Sequence, residues 1–200
     1  MSTEYFPHDS FFKKSMQNLN VAKDFFALHL PKEVQKQINL DTIAFEKTSF
    51  ITDRAKTSNK KQEQRVDMLY SVKVNGEEGY IYLLSEQQST PDSKMPLRIM
   101  RYILEIIQYH FDKKQKGKNG YVPIIWPLIF YNGNEPYNLN TSFLGMYPSG
   151  HRALAEKILT SPFQLIELNK IEDNDLRDHV WAAIMELSMQ ANGFVSQPLS

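Results

Sequence analysis

The chain has 200 residues, with 23 basic and 23 acidic side chains and no cysteine. The lack of cysteine excludes disulfide frameworks, thiolate zinc sites and cysteine nucleophiles. Hydrophobic residues make up 42% of the chain and charged residues 23%, which is typical of a globular domain and excludes global disorder. The first residues lack the apolar core of a signal peptide, and no apolar run could cross a bilayer. We therefore expect a cytoplasmic protein that does not enter a membrane.

Apolar residues at helical spacing predict a first helix over residues 9–30. Asp9 or Ser10 can serve as its N-cap, and Pro31 ends it. After this helix, the pattern predicts a short helix at 33–38, a strand at 44–51 and a polar, lysine-rich loop at 53–65.

The clearest strand signals lie in the middle of the chain. Apolar and polar residues alternate over 66–73 and again over 80–86, and the turn between them, at 75–79, begins with Asn-Gly, a strong hairpin signal. Side chains alternate between the two faces of a strand. An antiparallel hairpin would therefore bring Asp67, near the start of one strand, beside Glu86 at the end of the other.

The rest of the chain mixes helices and strands. A long helix is predicted at 96–113, with apolar residues such as Leu97 and Leu104 recurring at spacings of three and four. Residues 123–131 are apolar on both faces, as in a buried central strand, although Pro127 disfavours full pairing. The last predicted elements are a helix at 150–159, a strand at 163–168 and a helix at 173–189.

The predicted hairpin places two carboxylates, Asp67 and Glu86, at one end of two paired strands. Two close carboxylates suit a hard divalent cation, because Mg²⁺ takes one or two protein carboxylates and keeps waters that a phosphate can displace. A bound ion polarises phosphoryl oxygens and lowers the pKa of water, which suits phosphodiester hydrolysis. From the residue pattern alone, solvated carboxylates at a strand end are the commoner interpretation.

The order Asp67, then Glu86-x-Gln88, on a hairpin followed by a long helix resembles the PD-(D/E)xK nuclease core, with glutamine in place of lysine. More specifically, the chain resembles the recombination-promoting nuclease / YhgA-like transposase family. The matching stretches, in order, are His8-Asp9-Ser10-Phe11-Phe12-Lys13, Asp24-Phe25-Phe26 with His29-Leu30-Pro31, Ser49-Phe50-Ile51, Asp67, Tyr80-Ile81-Tyr82 with Glu86-Gln87-Gln88-Ser89, Met95-Pro96-Leu97-Arg98 with Arg101-Tyr102, and Pro127-Leu128-Ile129-Phe130-Tyr131-Asn132-Gly133.

The resemblance implies an α/β fold with a PD-(D/E)xK restriction-endonuclease-like core of αβββαβ order over residues 1–135. Residues 136–200 would form a C-terminal α/β extension packed on the same domain. The implied activity is that of a DNA endonuclease dependent on Mg²⁺ or another divalent cation such as Mn²⁺ or Ca²⁺. Asp67 and Glu86 would ligate the metal. Gln88 would replace the lysine that positions the attacking water, orienting the water through its amide without acting as a base.

Other side chains have two interpretations. Asp9 is either a helix cap or a support for the active site, and Tyr102 is a further candidate support. Arg98 and Arg101 begin the long helix, where an arginine could bind the scissile phosphate or neutralise Glu86 as a structural pair. Basic loops on either side of the site are either solvated or in contact with the DNA backbone, and the candidate residues are Lys60, Lys61, Arg65, Lys114 and Lys116.

The zero net charge is a sum over segregated segments. Residues 47–73 hold 7 basic and 3 acidic residues, a net charge of +4, and residues 92–118 hold the same numbers. The segment 74–91 between them carries −3. Neutrality of the whole chain therefore does not count against DNA, and a local electrostatic attraction is expected.

Two other functions stay open. One is a catalytically weak nucleic-acid-binding module, and the other is an interaction domain on the same fold. If each chain has one active site, cleavage of both DNA strands would further imply a homodimer.

Overall fold

A computed structural model of the chain describes residues 7–46, 65–86, 90–113 and 120–167, together with Met185 and Ser188. The chain divides into two compact units, Met1–Ser149 and Gly150–Ser200. The predicted packing of residues 136–200 on the same domain as the core stays a prediction.

The described α-helices and strands come in the order of three helices, three strands, one helix, one strand and one helix. The helices are α1 (Pro7–Met16), α2 (Leu19–His29), α3 (Lys32–Gln35), α4 (Met95–Lys113) and α5 (Arg152–Thr160). The strands are β1 (Ile38–Glu46), β2 (Arg65–Val74), β3 (Glu77–Glu86) and β4 (Ile125–Tyr131).

Among the described residues of the first unit, four strands form a mixed sheet in the order β1-β2-β3-β4. The first three strands pair antiparallel, and β4 pairs parallel to β3. A parallel pair needs a crossover connection, which α4 provides between β3 and β4. The first unit is therefore a mixed α/β structure in which helices precede three antiparallel strands, a crossover helix and a parallel strand.

The single helix predicted at 9–30 is wrong, because α1 and α2 are separate helices. Asn18 separates them: its backbone is extended, and its side chain accepts a hydrogen bond of 3.0 Å from the backbone N–H of Asn20, which caps α2. The N-cap assignment to Asp9 or Ser10 is also wrong, since α1 already begins at Pro7. Proline favours the first helical position, where no backbone N–H is needed.

Strand β1 begins at Ile38, earlier than the predicted start at Ala44. The register with β2 shifts between Asn39 and Ala44, which indicates a bulge or irregularity. Such a shift breaks the alternation of side chains, so the sequence pattern signals only the second half of the strand. The part of the predicted strand beyond Glu46 and the predicted loop up to residue 64 lie outside the described residues.

The hairpin of β2 and β3 is confirmed. The strands have ten residues each and pair without interruption. The turn consists of Asn75 and Gly76, so it is shorter than the predicted 75–79. Both residues have positive φ, 49° and 88°, which matches the type I′ turn whose twist suits a two-residue hairpin.

The prediction of a buried central strand at 123–131 is wrong. β4 lies at the end of the described sheet, and all of its residues are half-buried. Pro127 lacks a backbone N–H, which a strand at the end of a sheet tolerates because it pairs on one side.

Helix α4 confirms the predicted helix at 96–113. Its buried face, however, is not the one on which the leucines lie. Leu97 is 50% exposed and Leu104 is 62% exposed, whereas Tyr102 and Ile106 are buried. None of the described helices, α4 included, is long and apolar enough to cross a membrane.

Both faces of the sheet are buried against helices. One face packs with α1 and α2 through a cluster that includes Phe26 and Tyr70, and the other packs with α4 through Leu69, Tyr82 and Ile106. Because side chains alternate, every second residue of β2 and β3 points towards α4. Asp67 and Glu86 belong to that set.

In the second unit, α5 confirms the predicted helix at 150–159. The predicted strand at 163–168 is wrong, since none of its residues up to 167 lies in a strand. Alternating hydrophobicity gives a strand only where a neighbouring strand pairs with it. The predicted helix at 173–189 lies outside the described residues except for Met185 and Ser188, which are helical.

Candidate active site

Asp67 of β2 and Glu86 of β3 lie on the same face of the sheet, the one that α4 covers. Asp67 pairs with Leu84 in the antiparallel register, and Glu86 is two residues further along β3. Such diagonal neighbours are about 7–8 Å apart, a separation at which two carboxylates can approach a common ion. The structure thus brings the two predicted carboxylates together at the end of the hairpin opposite its turn.

Glu86 is a buried carboxylate, only 1% exposed, and it faces a guanidinium. Nη1 of Arg98 lies 3.2 Å from Oε2 of Glu86 and 2.8 Å from Oδ2 of Asp92. Burial lowers the pKa of Arg98, but the hydrogen bond to Asp92 and the charge of Glu86 raise it, and the net result is above the ordinary value. Arg98 therefore stays positively charged beside Glu86. This contact is the structural pair that the sequence offered as one of two interpretations, and a phosphate contact stays a prediction.

Asp67 is partly buried, and its Oδ1 accepts a hydrogen bond of 3.0 Å from the Tyr82 hydroxyl. Burial raises the pKa of Tyr82 well above its ordinary value, and the charge of Asp67 raises it further. Tyr82 is therefore a protonated donor at neutral pH. Its ring lies 5.3 Å from that of buried Tyr102, measured between centroids, and a supporting role of Tyr102 stays a prediction.

Asp92 is a site residue that sequence reasoning missed. Its Oδ1 accepts a hydrogen bond of 2.8 Å from the backbone N–H of Lys94, and its carbonyl accepts hydrogen bonds from the N–H of Met95 at 3.1 Å and the hydroxyl of Tyr137 at 3.3 Å. An aspartate just before a helix is a recognisable capping signal. Its ion pair with Arg98, six positions later, follows no helical spacing rule and could not be read from the sequence.

Arg101 lies on the exposed side of α4. Its side chain is 48% exposed, forms an ion pair of 3.6 Å with Glu105 and lies over the Tyr102 ring at 5.0 Å from the centroid. The other predicted site residues fall outside the described part of the chain: Gln88, Lys60, Lys61, Lys114 and Lys116 entirely, and Asp9 and Arg65 in their side chains. Their roles stay predictions.

The donor set at this site fits a hard divalent cation. Within the described residues, no group of three or more His, Asp or Glu side chains could hold a metal ion. Zinc usually takes three or four protein ligands, whereas Mg²⁺ is commonly held by one or two carboxylates and several waters. Asp67 and Glu86 provide two carboxylates and therefore match Mg²⁺ better than zinc.

An apolar cavity of about 490 Å³ lies beside β4 and the beginning of α4. Met95, Trp126, Pro127 and Tyr137 are among its lining residues, and neither candidate carboxylate is. The cavity is therefore separate from the carboxylate pair.

A family model described as "Putative transposase, YhgA-like" matches residues 6–192. The chain belongs to this family. Recombination-promoting nuclease RpnC of Escherichia coli (strain K12) is 34% identical over 182 residues, which cover 90% of this chain and 57% of the relative. RpnD of Escherichia coli O157:H7, also a recombination-promoting nuclease, is 30% identical over 182 residues, 90% of this chain and 66% of the relative. The inactive recombination-promoting nuclease-like protein RpnE of Escherichia coli (strain K12) is 34% identical over 189 residues, 93% of this chain and 58% of the relative.

Membership in the YhgA-like family confirms the resemblance drawn from the short sequence motifs. The family match spans both carboxylates and Gln88, and the chain covers less than two thirds of the length of these three relatives. No solved structure matches the chain. By their names, relatives of this YhgA-like chain include both nucleases and an inactive protein.

Proposed function

We propose that the chain is a divalent-metal-dependent DNA endonuclease that hydrolyses phosphodiester bonds in recombination or in mobile elements. The observation that carries this proposal is the placement of Asp67 and Glu86 on one face of two paired strands, beside a permanently charged arginine. The names of the relatives RpnC and RpnD support nuclease chemistry.

The proposed fold is a PD-(D/E)xK-like core. Its αβββαβ order agrees with the observed sequence of helices, three antiparallel strands, the crossover helix α4 and the parallel strand β4. The two proposed metal ligands lie on β2 and β3 of this order.

In the proposed mechanism, Asp67 and Glu86 would hold Mg²⁺, with Mn²⁺ or Ca²⁺ as alternatives. The bound ion would polarise a phosphoryl oxygen and lower the pKa of a coordinated water. Tyr82 orients Asp67 through its hydroxyl. Gln88 would orient the attacking water through its side-chain amide, which cannot accept the proton as a base at neutral pH.

A plasmid-nicking assay with Mg²⁺ or with EDTA tests the proposal. We expect Asp67→Asn and Glu86→Gln each to reduce metal-dependent cleavage at least about 100-fold, since a metal ligand contributes several kcal/mol and about 1.4 kcal/mol corresponds to a factor of ten. Asp41→Asn is a matched control, because Asp41 is a carboxylate on β1 whose side chain is 91% exposed and is paired with Lys23. Cleavage by both site variants at the parent rate would show that the site assignment is wrong.

A second candidate function is a module that binds nucleic acid with little or no cleavage. The relative named inactive, RpnE, favours it. Salt-sensitive DNA binding without metal-dependent nicking would support this candidate, and no DNA binding at low salt would favour an interaction domain instead.

DNA is the proposed partner in both nucleic-acid functions, and a homodimer is proposed for double-strand cleavage. Sedimentation of the protein on DNA tests the dimer. Monomers alone, together with double-strand cutting, would contradict it.

A further inference from the structure

We propose that Arg98, held by Asp92, is a built-in counter-cation for Glu86 that a divalent ion displaces. In the metal-free protein Arg98 lies against Glu86 and orients its carboxylate. When the ion binds, Glu86 turns to the metal, and Arg98 keeps its hydrogen bond to Asp92. Asp92 and Arg98 are thus positioning residues, and the inference rests on the proposed metal site.

The need for a counter-cation follows from the burial of Glu86. The carboxylate is 1% exposed, and an ionised carboxylate at such a position is costly unless a positive charge or several hydrogen bonds compensate it. Arg98 provides that charge at 3.2 Å, and its own side chain is only 12% exposed. The metal-free site is therefore already arranged around a cation.

The two contacts of Arg98 are unequal. Its Nη1 atom lies 2.8 Å from Asp92 but 3.2 Å from Glu86, so one nitrogen is shared between two carboxylates. The strongest arginine–carboxylate pairs use two parallel N–H donors, and here Nη2 is buried without a hydrogen-bond partner among the described residues. The contact with Glu86 is therefore the weaker one, and it is the one that gives way to a metal ion.

Asp92 is fixed independently of Arg98. Backbone hydrogen bonds from Lys94 and Met95, and the hydroxyl of Tyr137, hold it at the beginning of α4. If Glu86 turns to a metal ion, the guanidinium of Arg98 therefore keeps its ion pair with Asp92. Neither of these two charges then becomes unpaired.

The charges of the cluster agree with this exchange. Of the three carboxylates Asp67, Glu86 and Asp92, Arg98 contacts Glu86 and Asp92. With Arg98 engaged by Asp92, the two remaining carboxylates are the proposed metal ligands.

Calorimetric titration with Mg²⁺ and thermal unfolding in EDTA, using the full chain, test the proposal. Arg98→Gln removes the competing cation, so we expect a lower Tm in EDTA, a Kd for Mg²⁺ about tenfold lower and a larger rise of Tm on saturation. Asp92→Asn leaves Arg98 to Glu86 alone, so we expect a Kd several-fold higher than that of the parent. A purely structural ion pair would lower Tm in both variants without moving the two Kd values in opposite directions.

Two further variants complete the experiment. Arg98→Lys keeps the positive charge, so we expect its Tm in EDTA to be close to that of the parent. If Arg98→Gln does not fold, the Kd of Arg98→Lys is compared with that of Asp92→Asn instead. Lys23→Gln removes the remote ion pair with Asp41 and is expected to leave the Kd unchanged.

The outcomes separate this inference from the proposed function. In one outcome the parent protein binds Mg²⁺ through Glu86, but the Kd values of the two variants do not shift in opposite directions. That outcome overturns the proposed counter-cation role of Arg98 and leaves the proposed metal site unaffected. Parent protein that binds no Mg²⁺, or binds it equally well after Glu86→Gln, overturns the metal site and the counter-cation with it.

Discussion

At the scale of single residues, Tyr82 connects the buried core to the candidate site through one hydroxyl. It is fully buried, yet it donates to Asp67 at 3.0 Å. Tyr82→Phe keeps the ring and removes the donor. We expect single-turnover nicking in Mg²⁺ to fall about tenfold, corresponding to about 1.4 kcal/mol, because one oxygen of the carboxylate loses its orientation.

Tyr80→Phe is the matched control for this variant. Tyr80 lies on the same strand and face and is equally buried, but its hydroxyl contacts Glu78 at 2.9 Å and His110 at 3.1 Å. Urea unfolding should show a loss of about 1 kcal/mol for either variant, and only Tyr82→Phe should slow cleavage. Equal slowing by both would show that the effect comes from stability and not from Asp67.

The sequence could predict the two carboxylates, because the period of two along a strand decides which residues share a face. The proximity of Asp67 and Glu86 depends only on the pairing of β2 with β3 in a hairpin. Asp92 and Tyr82 escaped this reasoning because their contacts depend on side-chain reach. Asp92 meets Arg98 across the first turn of α4, and nothing in the strand pattern shows that the Tyr82 hydroxyl reaches Asp67.

At the scale of elements, Glu46 ties the end of β1 to the end of α4. Lys113 lies 2.9 Å from its Oε1, and the Tyr109 hydroxyl donates to its Oε2 at 2.8 Å. Burial raises the pKa of Glu46, but the hydrogen bonds from Lys113 and Tyr109 outweigh it, and the pKa is below its ordinary 4.5. The carboxylate therefore stabilises the folded state in its charged form.

Glu46→Gln is expected to lower the free energy of unfolding by about 1 kcal/mol at pH 7, a modest figure because Lys113 is 43% exposed. A carboxyl whose folded pKa is lowered contributes stability above its unfolded pKa and loses it as the pH falls through the folded value. The difference between parent and variant should therefore shrink below about pH 4.5. Urea unfolding from pH 3 to 7 measures it, and a difference that grows on acidification would contradict this account.

The elements differ in how far the sequence defines them. The β2–β3 hairpin and α4 were predicted well, because strict alternation and an Asn-Gly turn are local signals. The break at Asn18 and the shifted register of β1 were missed, since each interrupts a periodic pattern that otherwise continues. The buried face of α4 was misjudged because Tyr102 and His110 are buried there while Leu97 and Leu104 are exposed. Aromatic rings with a polar group can occupy the interface between α4 and the sheet in place of leucines when they contact residues of the sheet, as Tyr102 and His110 do.

At the scale of the whole molecule, charge segregation predicts how DNA binding depends on salt. Each phosphate contact contributes about 0.9 to the slope of log K against log salt concentration. The double variant Lys114→Gln, Lys116→Gln should therefore reduce that slope by up to about 1.8 for duplex DNA. Fluorescence anisotropy at several salt concentrations measures it.

Lys32→Gln with Lys36→Gln is the control for this prediction. It removes the same number of charges from α3 and its C-cap, which lie outside both basic segments of the sequence. The slope should stay at the parent value. Equal reductions in the two double variants would indicate a response to total charge, contrary to a local attraction.

The two-residue turn at Asn75 and Gly76 has a long-range effect on the site. It lies eight residues along β2 from Asp67, about 27 Å at the rise of an antiparallel strand. One residue added to β2 beside this turn would shift the register by one and rotate Asp67 from the α4 face to the opposite face, while Glu86 stayed in place. The two turn residues with positive φ, Asn75 and Gly76, thus determine which face of the sheet Asp67 lies on. An insertion beside this turn would separate the two carboxylates although neither of them is changed.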